Sequence, residues 1–221
     1  MNILKKAVEW GKLKSNQAKD VKLLKVQNAR LRFLAGEEIQ KLIDACAPHL
    51  KPIVIVALNT GMRRGEIFNL RWDQVNFQAG VIHIEKSKNG HRREIPMNDY
   101  LVKTLKGVTR SGEYVFAAKD GRPYDNTKRS FKTALKKAGI TNFTFHDLRH
   151  TFASNLVMAG VDLATVKDLL GHKSIQMTMR YTHLSPGHRQ KAVSILSAYY
   201  ANNHKLSTNS ETAEKLVSLT S

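Results

Sequence analysis

The stretch His146-Asp147-Leu148-Arg149-His150 reads as the opening of a helix that runs to about Met158 and stops at Gly160. His146 and Arg149 stand three residues apart, so on a helix they are neighbours on one face and can address a single anion together. Taken alone, the pair reads better as a surface salt-bridge arginine and a satisfied helix-start histidine. Asp162 provides an N-cap for the next helix, which ends at Gly171-His172. Tyr181 follows nine residues after His172, within a short helix from about Gln176 to Thr182. On one continuous helix that spacing is half a turn out of phase, so the two side chains converge only if Gly171 and Ser174 break it. Without company, Tyr181 reads as a packing aromatic.

Upstream, a helix begins near Gly36, with Glu37 and Glu38 at its positive end and Ile39, Leu42 and Ile43 on one face, and stops before Pro48. The apolar run Ile53 to Leu58 leads to Thr60-Gly61, after which Glu66, Ile67 and Leu70 resume a helical spacing. That places Arg63 at a helix start or just before it. Val81, His83 and Glu85 alternate with Ile82 and Ile84, Asn89-Gly90 supplies a tight turn, and Arg93 to Pro96 return as a hairpin. Tyr114 to Phe116 offers a third strand. Asn126 to Ala138 is helical, with Phe131 and Leu135 on one side and Gly139 at its end. After Pro186, the residues Ala192, Val193, Leu196 and Tyr199 mark an amphipathic terminal helix. The expected fold is α+β and mainly α-helical, with a small antiparallel three-stranded sheet. Residues 1–30 hold a basic helical pattern, Asn2 to Leu24, interrupted by Gly11 and followed by a polar stretch; residues 31–200 form the main domain; residues 201–221 are expected as a flexible tail with a weak helix near Thr212 to Leu219. Internal repeats are absent from the sequence.

A chain of 221 residues with 42% hydrophobic content can bury one substantial core. Its 36 Lys and Arg against 18 Asp and Glu give a net charge of +18, spread along the chain. Such a balance favours a polyanion, because each neutralised phosphate releases condensed counterions. No apolar run approaches the roughly 18 residues of a membrane span, and the start lacks a signal-peptide pattern, so a membrane partner is not expected and the cytoplasm is. The lone Cys46 forms no internal disulfide and reads as a buried small hydrophobe. His146 and His150 have the spacing of zinc ligands, but the glutamate of a metalloprotease motif is missing between them, and no metal is expected.

These residues, together with two further motifs, resemble the tyrosine recombinase, or phage integrase, family from about Leu31 to Leu184. The family's first-arginine motif is matched by Thr60-Gly61-Met62-Arg63-Arg64-Gly65-Glu66-Ile67, and its hairpin lysine motif by Lys88-Asn89-Gly90-His91-Arg92-Arg93-Glu94-Ile95-Pro96. His146, Leu148, Arg149 and His150 match the central motif, Leu170-Gly171-His172 the next, and Tyr181 after Thr178 the nucleophile. No catalytic position departs from the pattern. One motif is weak evidence; six residue types in the family's order are not. The resemblance implies catalytic roles for Arg63, Lys88, His146, Arg149, His172 and Tyr181, with Glu66 as a supporting carboxylate and His150 in support. Lys86 is the competing assignment for Lys88.

The implied reaction is DNA strand cleavage by Tyr181 through a 3′-phosphotyrosine ester, and rejoining without ATP, cofactor or metal. Arginine forks bind phosphate oxygens bidentately and stay charged at any working pH. A phenol of ordinary pKa near 10 needs a proton acceptor, which by resemblance is His146, while Lys88 protonates the leaving 5′-oxygen and His172 hydrogen-bonds the phosphate. Lys86, Arg92 and the stripe Lys128, Lys132, Lys136 are expected to contact the DNA backbone, although a solvated basic face explains the stripe as well. The implied partners are double-stranded DNA and other protomers, in a tetrameric synapse for the full-length protein, which points to a bacterial or phage origin and a nucleoid-associated place. The terminal helix could pack on a neighbouring protomer or within the chain. Family members carry a separate helical DNA-gripping domain, of which only a last helix fits in Asn2 to Leu24, so the chain is expected to be a truncated piece. Two rival readings remain. A noncatalytic helix-turn-helix regulator would explain Asp162 to Tyr181 but not Arg63, Lys88 and Arg149. A type IB topoisomerase shares the chemistry but rejoins the same strand, and its eukaryotic forms carry long insertions not found here.

Overall fold

The computed structural model describes residues 3–16, 18, 31–85, 92–118, 120–124, 126–184 and 188–203. Two compact units divide the chain, Met1–Arg30 and Leu31–Ser221. In the first, helix α1 (Ile3–Glu9) carries a Lys6–Glu9 ion pair and ends at Gly11, whose φ is +68°. The polar stretch expected up to residue 30 lies mostly outside the described residues.

In the second unit, α2 (Gly36–Ala45) follows the sequence reading, with Glu37 and Glu38 in its first turn and Leu42 and Ile43 buried. Helix α3 (Lys51–Thr60) opens with Pro52 in its first turn, where a missing N–H costs nothing. Its run Ile53-Val54-Ile55-Val56 is β-branched throughout, a composition that locally favours a strand. Burial decides otherwise: all four residues, with Ala57 and Thr60, are packed out of solvent, as in a helix covered on every side. α4 (Arg64–Phe68) follows after Gly61.

The sheet contains β1 (Val75–Asn76), β2 (Val81–Ile84) and β3 (Arg93–Pro96), antiparallel in the order β1-β2-β3. Ile82 pairs with Ile95 and Ile84 with Arg93, which puts Ile82, Ile84 and Ile95 into the core. The third strand is Val75–Asn76, not Tyr114 to Phe116. Val75–Asn76 is joined to β2 by a four-residue turn and pairs locally, whereas Tyr114 forms only an isolated bridge to Arg71 and Val115 donates to the Leu70 carbonyl at 2.8 Å. The Asn89-Gly90 turn lies outside the described residues.

Helix α5 (Asp99–Lys106), capped by the Asn98 side chain, is absent from the elements read in the sequence and packs against α3. α6 (Lys128–Lys137) buries Phe131, Ala134 and Leu135. α7 (Asp147–Met158) lies along α3, and α8 (Leu163–Leu170) packs on α7 and β3. Asp162 caps α8 by accepting from the Thr165 amide. The short helix expected around Gln176 to Thr182 takes the form of two 3-10 turns, Ile175–Met177 and Met179–Leu184. Helix α9 (His188–Asn203) reaches past residue 201, where a tail was expected to begin; residues 204–221, with the weak helix expected there, lie outside the described residues. Cys46 is half-buried, and burial pushes its thiol up to about 11. Among the described residues no helix is long and apolar enough to cross a membrane.

Candidate active site

Two glycines that end helices set the site. Gly61, after α3, has φ +59°, and a Cβ there would lie 2.4 Å from Phe152 Cδ1 and 2.9 Å from Leu170 Cδ2. Gly171, after α8, has φ +63°, and a Cβ would lie 3.0 Å from Arg93 Nη1. Both positions therefore require the residue without a side chain. Their carbonyls close the negative ends of α3 and α8, where a cation is favoured.

Two arginines use those ends. Arg149, buried on α7, donates from Nη1 to the Gly61 carbonyl and from Nη2 to the Leu170 carbonyl, each at 2.6 Å. Arg63, the N-cap of α4, donates from Nη2 to the Gly171 carbonyl at 3.0 Å. The two guanidiniums thus meet on consecutive carbonyls at the end of α8. Burial and the Arg63 charge lower Arg149 to about 10, which still leaves it cationic at neutral pH.

Glu66 holds Arg63 in place and ties it to Arg93. It accepts from the Arg63 amide at 2.8 Å and from Arg63 Nη1 at 3.0 Å, and takes both terminal nitrogens of Arg93 at 3.1 and 2.7 Å. Arg93 also donates from Nε to the Leu169 carbonyl at 3.0 Å. Burial opposes ionisation of Glu66, but the hydrogen bonds and charges of Arg93 and Arg63 outweigh it and hold the carboxyl below its ordinary range. In the sequence Arg93 is only a spacing landmark; its place opposite Ile84 in the hairpin is what turns it toward α8.

Three histidines and Tyr181 complete the cluster. His146 sits at the N-cap of α7, and its ring meets that of His150 edge to face at 5.0 Å. Tyr181 Oη lies 2.6 Å from Nδ1 of His150. The histidine bonded to the phenol is thus His150, not His146. His172 Nδ1 is 2.8 Å from the Thr178 hydroxyl, so the break after Gly171 brings both histidines onto the segment that carries Tyr181. Burial, with the Arg149 and Arg63 charges, lowers His172 to about 4; burial, with His146 and Arg180, lowers His150 to about 4; and burial and Arg149 lower His146. Burial raises the Tyr181 phenol against the opposing pull of Arg180 and Arg149. In the sequence Thr178 is only a landmark before Tyr181, and Arg180 is a participant the sequence reading omits, its only signal there being proximity to Tyr181.

Arg92 is exposed beside β3, and Lys128, Lys132 and Lys136 are exposed on α6 opposite its buried face. Lys86 and Lys88 lie outside the described residues. Among the described residues no three His, Cys, Asp or Glu side chains are placed to hold a metal ion.

Residues 32–188 match the profile of the phage integrase family. The chain is 40% identical over 197 residues to the integrase of Salmonella phage P22, covering 81% of this chain and 50% of that protein. It is 30% identical over 193 residues to the tyrosine recombinase XerA of Pyrococcus furiosus, covering 81% of this chain and 66% of that one. Among solved structures, the catalytic domain of bacteriophage HP1 integrase superposes with a TM-score of 0.61 at 32% identity, covering 81% of this chain and 98% of that one. The chain therefore spans about half the length of the first of these relatives, and by its matched residues and its fold it belongs to the phage integrase family.

Proposed function

We propose that this chain is the catalytic part of a site-specific DNA recombinase that cuts a strand with Tyr181 and rejoins it to a new end. The observation that carries the reading is the meeting of Arg63 and Arg149 on the carbonyls of Leu170 and Gly171, with Tyr181 and His172 on the segment that follows. A phosphodiester entering there gains negative charge on its nonbridging oxygens as the nucleophile attacks. Two fixed guanidiniums, already oriented by backbone and Glu66, stabilise that charge without reorganising during the reaction. His172, neutral at working pH, donates a hydrogen bond to the same phosphate. The phenol gives up its proton as it attacks, with His146 as the acceptor implied by family resemblance and the protonated Lys88 delivering a proton to the leaving 5′-oxygen. The ester conserves the energy of the broken bond, so rejoining needs no external energy source.

Residues 31–200 act as the catalytic domain, and residues 1–30 as the end of a DNA-gripping domain with its linker. Double-stranded DNA is the substrate, held partly by Arg92 and the α6 lysines. Other protomers are the second class of partner. On α9 the side chains of Val193, Ile195, Leu196 and Tyr199 are exposed, and such a surface suits packing against a neighbouring protomer in a tetrameric synapse.

The test is to trap a denaturation-resistant protein–DNA adduct on nicked suicide substrates. The chain is expected to form it and Tyr181→Phe to lose it, with binding retained. Binding without any adduct, under conditions where a full-length relative forms one, would contradict the reading. Strand exchange against supercoil relaxation separates a recombinase from a topoisomerase.

A further inference from the structure

Tyr181 is 1% exposed and belongs to a buried cluster with Phe152, Ala153, Val157, Val166 and Leu170. A phosphate oxygen has to touch the phenol oxygen for attack, and a side chain so enclosed offers DNA no approach. Its hydroxyl is spent on His150 Nδ1 at 2.6 Å, and His150 is itself only 7% exposed within α7. Of the two groups the phenol is the stronger acid and the imidazole nitrogen the stronger base, so the phenol donates and the neutral ring accepts. Burial above all, then His146, Arg180 and Arg149 against the opposing pull of Asp147, keeps the ring neutral at working pH.

The segment bearing Tyr181 is built to move. It is 3-10 in form, with the poorer hydrogen-bond geometry of that helix, and Tyr181 N is tied back to the Thr178 carbonyl at 3.0 Å. Of residues 179–184 only Tyr181 is buried; Met179, Arg180, Thr182 and His183 are exposed and Leu184 is half-buried, so the packing given up in a displacement is mainly that of Tyr181 itself. Thr178, by contrast, is fully buried and bonded to His172, which fixes the start of the segment beside the arginines. We infer that His150 is a positioning residue that latches the Tyr181 phenol in a stowed state, from which the segment beyond Thr178 must swing for the phenol to meet a phosphate.

The cleavage half of the test rests on Tyr181 being the nucleophile; the labelling half does not. DNA-free protein is treated with tetranitromethane and nitration is read at each tyrosine by peptide mass spectrometry. In the parent, Tyr181 is expected to react far more slowly than Tyr100, which is 48% exposed. His150→Leu is expected to raise Tyr181 nitration about 3- to 10-fold, the range that one buried hydrogen bond contributes, with Tyr100 unchanged. His150→Gln, whose amide oxygen can accept the same bond, should retain much of the protection. On a saturating suicide substrate, single-turnover cleavage by His150→Leu should rise by a similar factor while the DNA Kd stays the same. Parent Tyr181 as reactive as Tyr100 overturns the latch without recourse to any variant. So does a His150→Leu protein with unchanged nitration and slowed cleavage, the signature of a proton acceptor. Faster nitration in His150→Leu with no adduct from any variant supports the latch and sinks the assignment of the nucleophile.

Discussion

Gly61→Ala tests how the fold holds Arg149. The new Cβ would sit 2.4 Å from Phe152 Cδ1 and 2.9 Å from Leu170 Cδ2, in a backbone held at φ +59°. The left-handed conformation costs a residue with a side chain about 1–2 kcal/mol. Forcing the side chain against two packed core residues costs about 1–3 kcal/mol more. The sum, about 2–5 kcal/mol, corresponds to a fall in Tm of about 4–20 °C for a domain of this size. Gly65→Ala is the control, because nothing lies within 4 Å of its Cβ position and its backbone is helical. Alanine there should stabilise by about 0.5–1 kcal/mol through lost chain entropy in the unfolded state. Thermal unfolding followed by circular dichroism measures both. If Gly61→Ala melts with the parent, the close packing of α3 against α7 and α8 at this point is wrong, and with it the fixed carbonyl that orients Arg149.

Other outcomes follow from the same geometry. Glu66→Gln leaves Arg63 and Arg93 without their carboxylate in a site where the Glu66 and Arg93 side chains are 10% and 7% exposed; urea unfolding at neutral pH should show a loss of about 3–5 kcal/mol. Because the folded Glu66 titrates below its unfolded value, its contribution is present above about pH 4.3 and fades as the pH falls through the lower folded value, so parent and variant should converge in acid. His150 and His172 work over a higher window: between about pH 6.5 and 4 the unfolded chain binds protons that the folded sites refuse, and stability should fall across that range in melts taken at stepped pH. Arg149→Lys replaces a two-armed tether with a single ammonium and should slow adduct formation by about 10²–10³-fold at saturating DNA. For the isolated chain, binding should be weak and steeply salt-dependent, and replacing Lys128, Lys132 and Lys136 together by alanine should flatten the slope of log K against log salt by about 2.7 if all three meet phosphates; an unchanged slope returns the stripe to a solvated face.

Much of this architecture was legible where local chemistry and tertiary demand agree. Asp162 as a cap, Gly139, Gly160 and Gly171 as stops, and the alternation from Val81 to Glu85 each specify one local conformation, and the structure adopts them. Reading failed where burial overrides local preference. The β-branched run in α3 carries no usable period because every face is covered, and α5 buries only Leu101 and Leu105, too few to mark a stripe. Strand pairing is a relation between segments, so nothing within Tyr114 to Phe116 reveals that Val75–Asn76 takes the place beside β2. The same holds for the site. Its residue types could be named from motif order, but the choice of His150 over His146 as partner of Tyr181 depends on the 3-10 turns after Gly171, whose geometry no 3.6-residue period describes. Nor could sequence show that Arg149 is held by two backbone carbonyls, since those bonds use no side chain as partner.

The most direct measurement of the central claim is a structure of this chain trapped on a suicide DNA substrate. A single phosphate should lie within hydrogen-bond distance of Arg63, Arg149 and His172, esterified to Tyr181. Arginines on separate phosphates, or a trapped ester on any other residue, would contradict it.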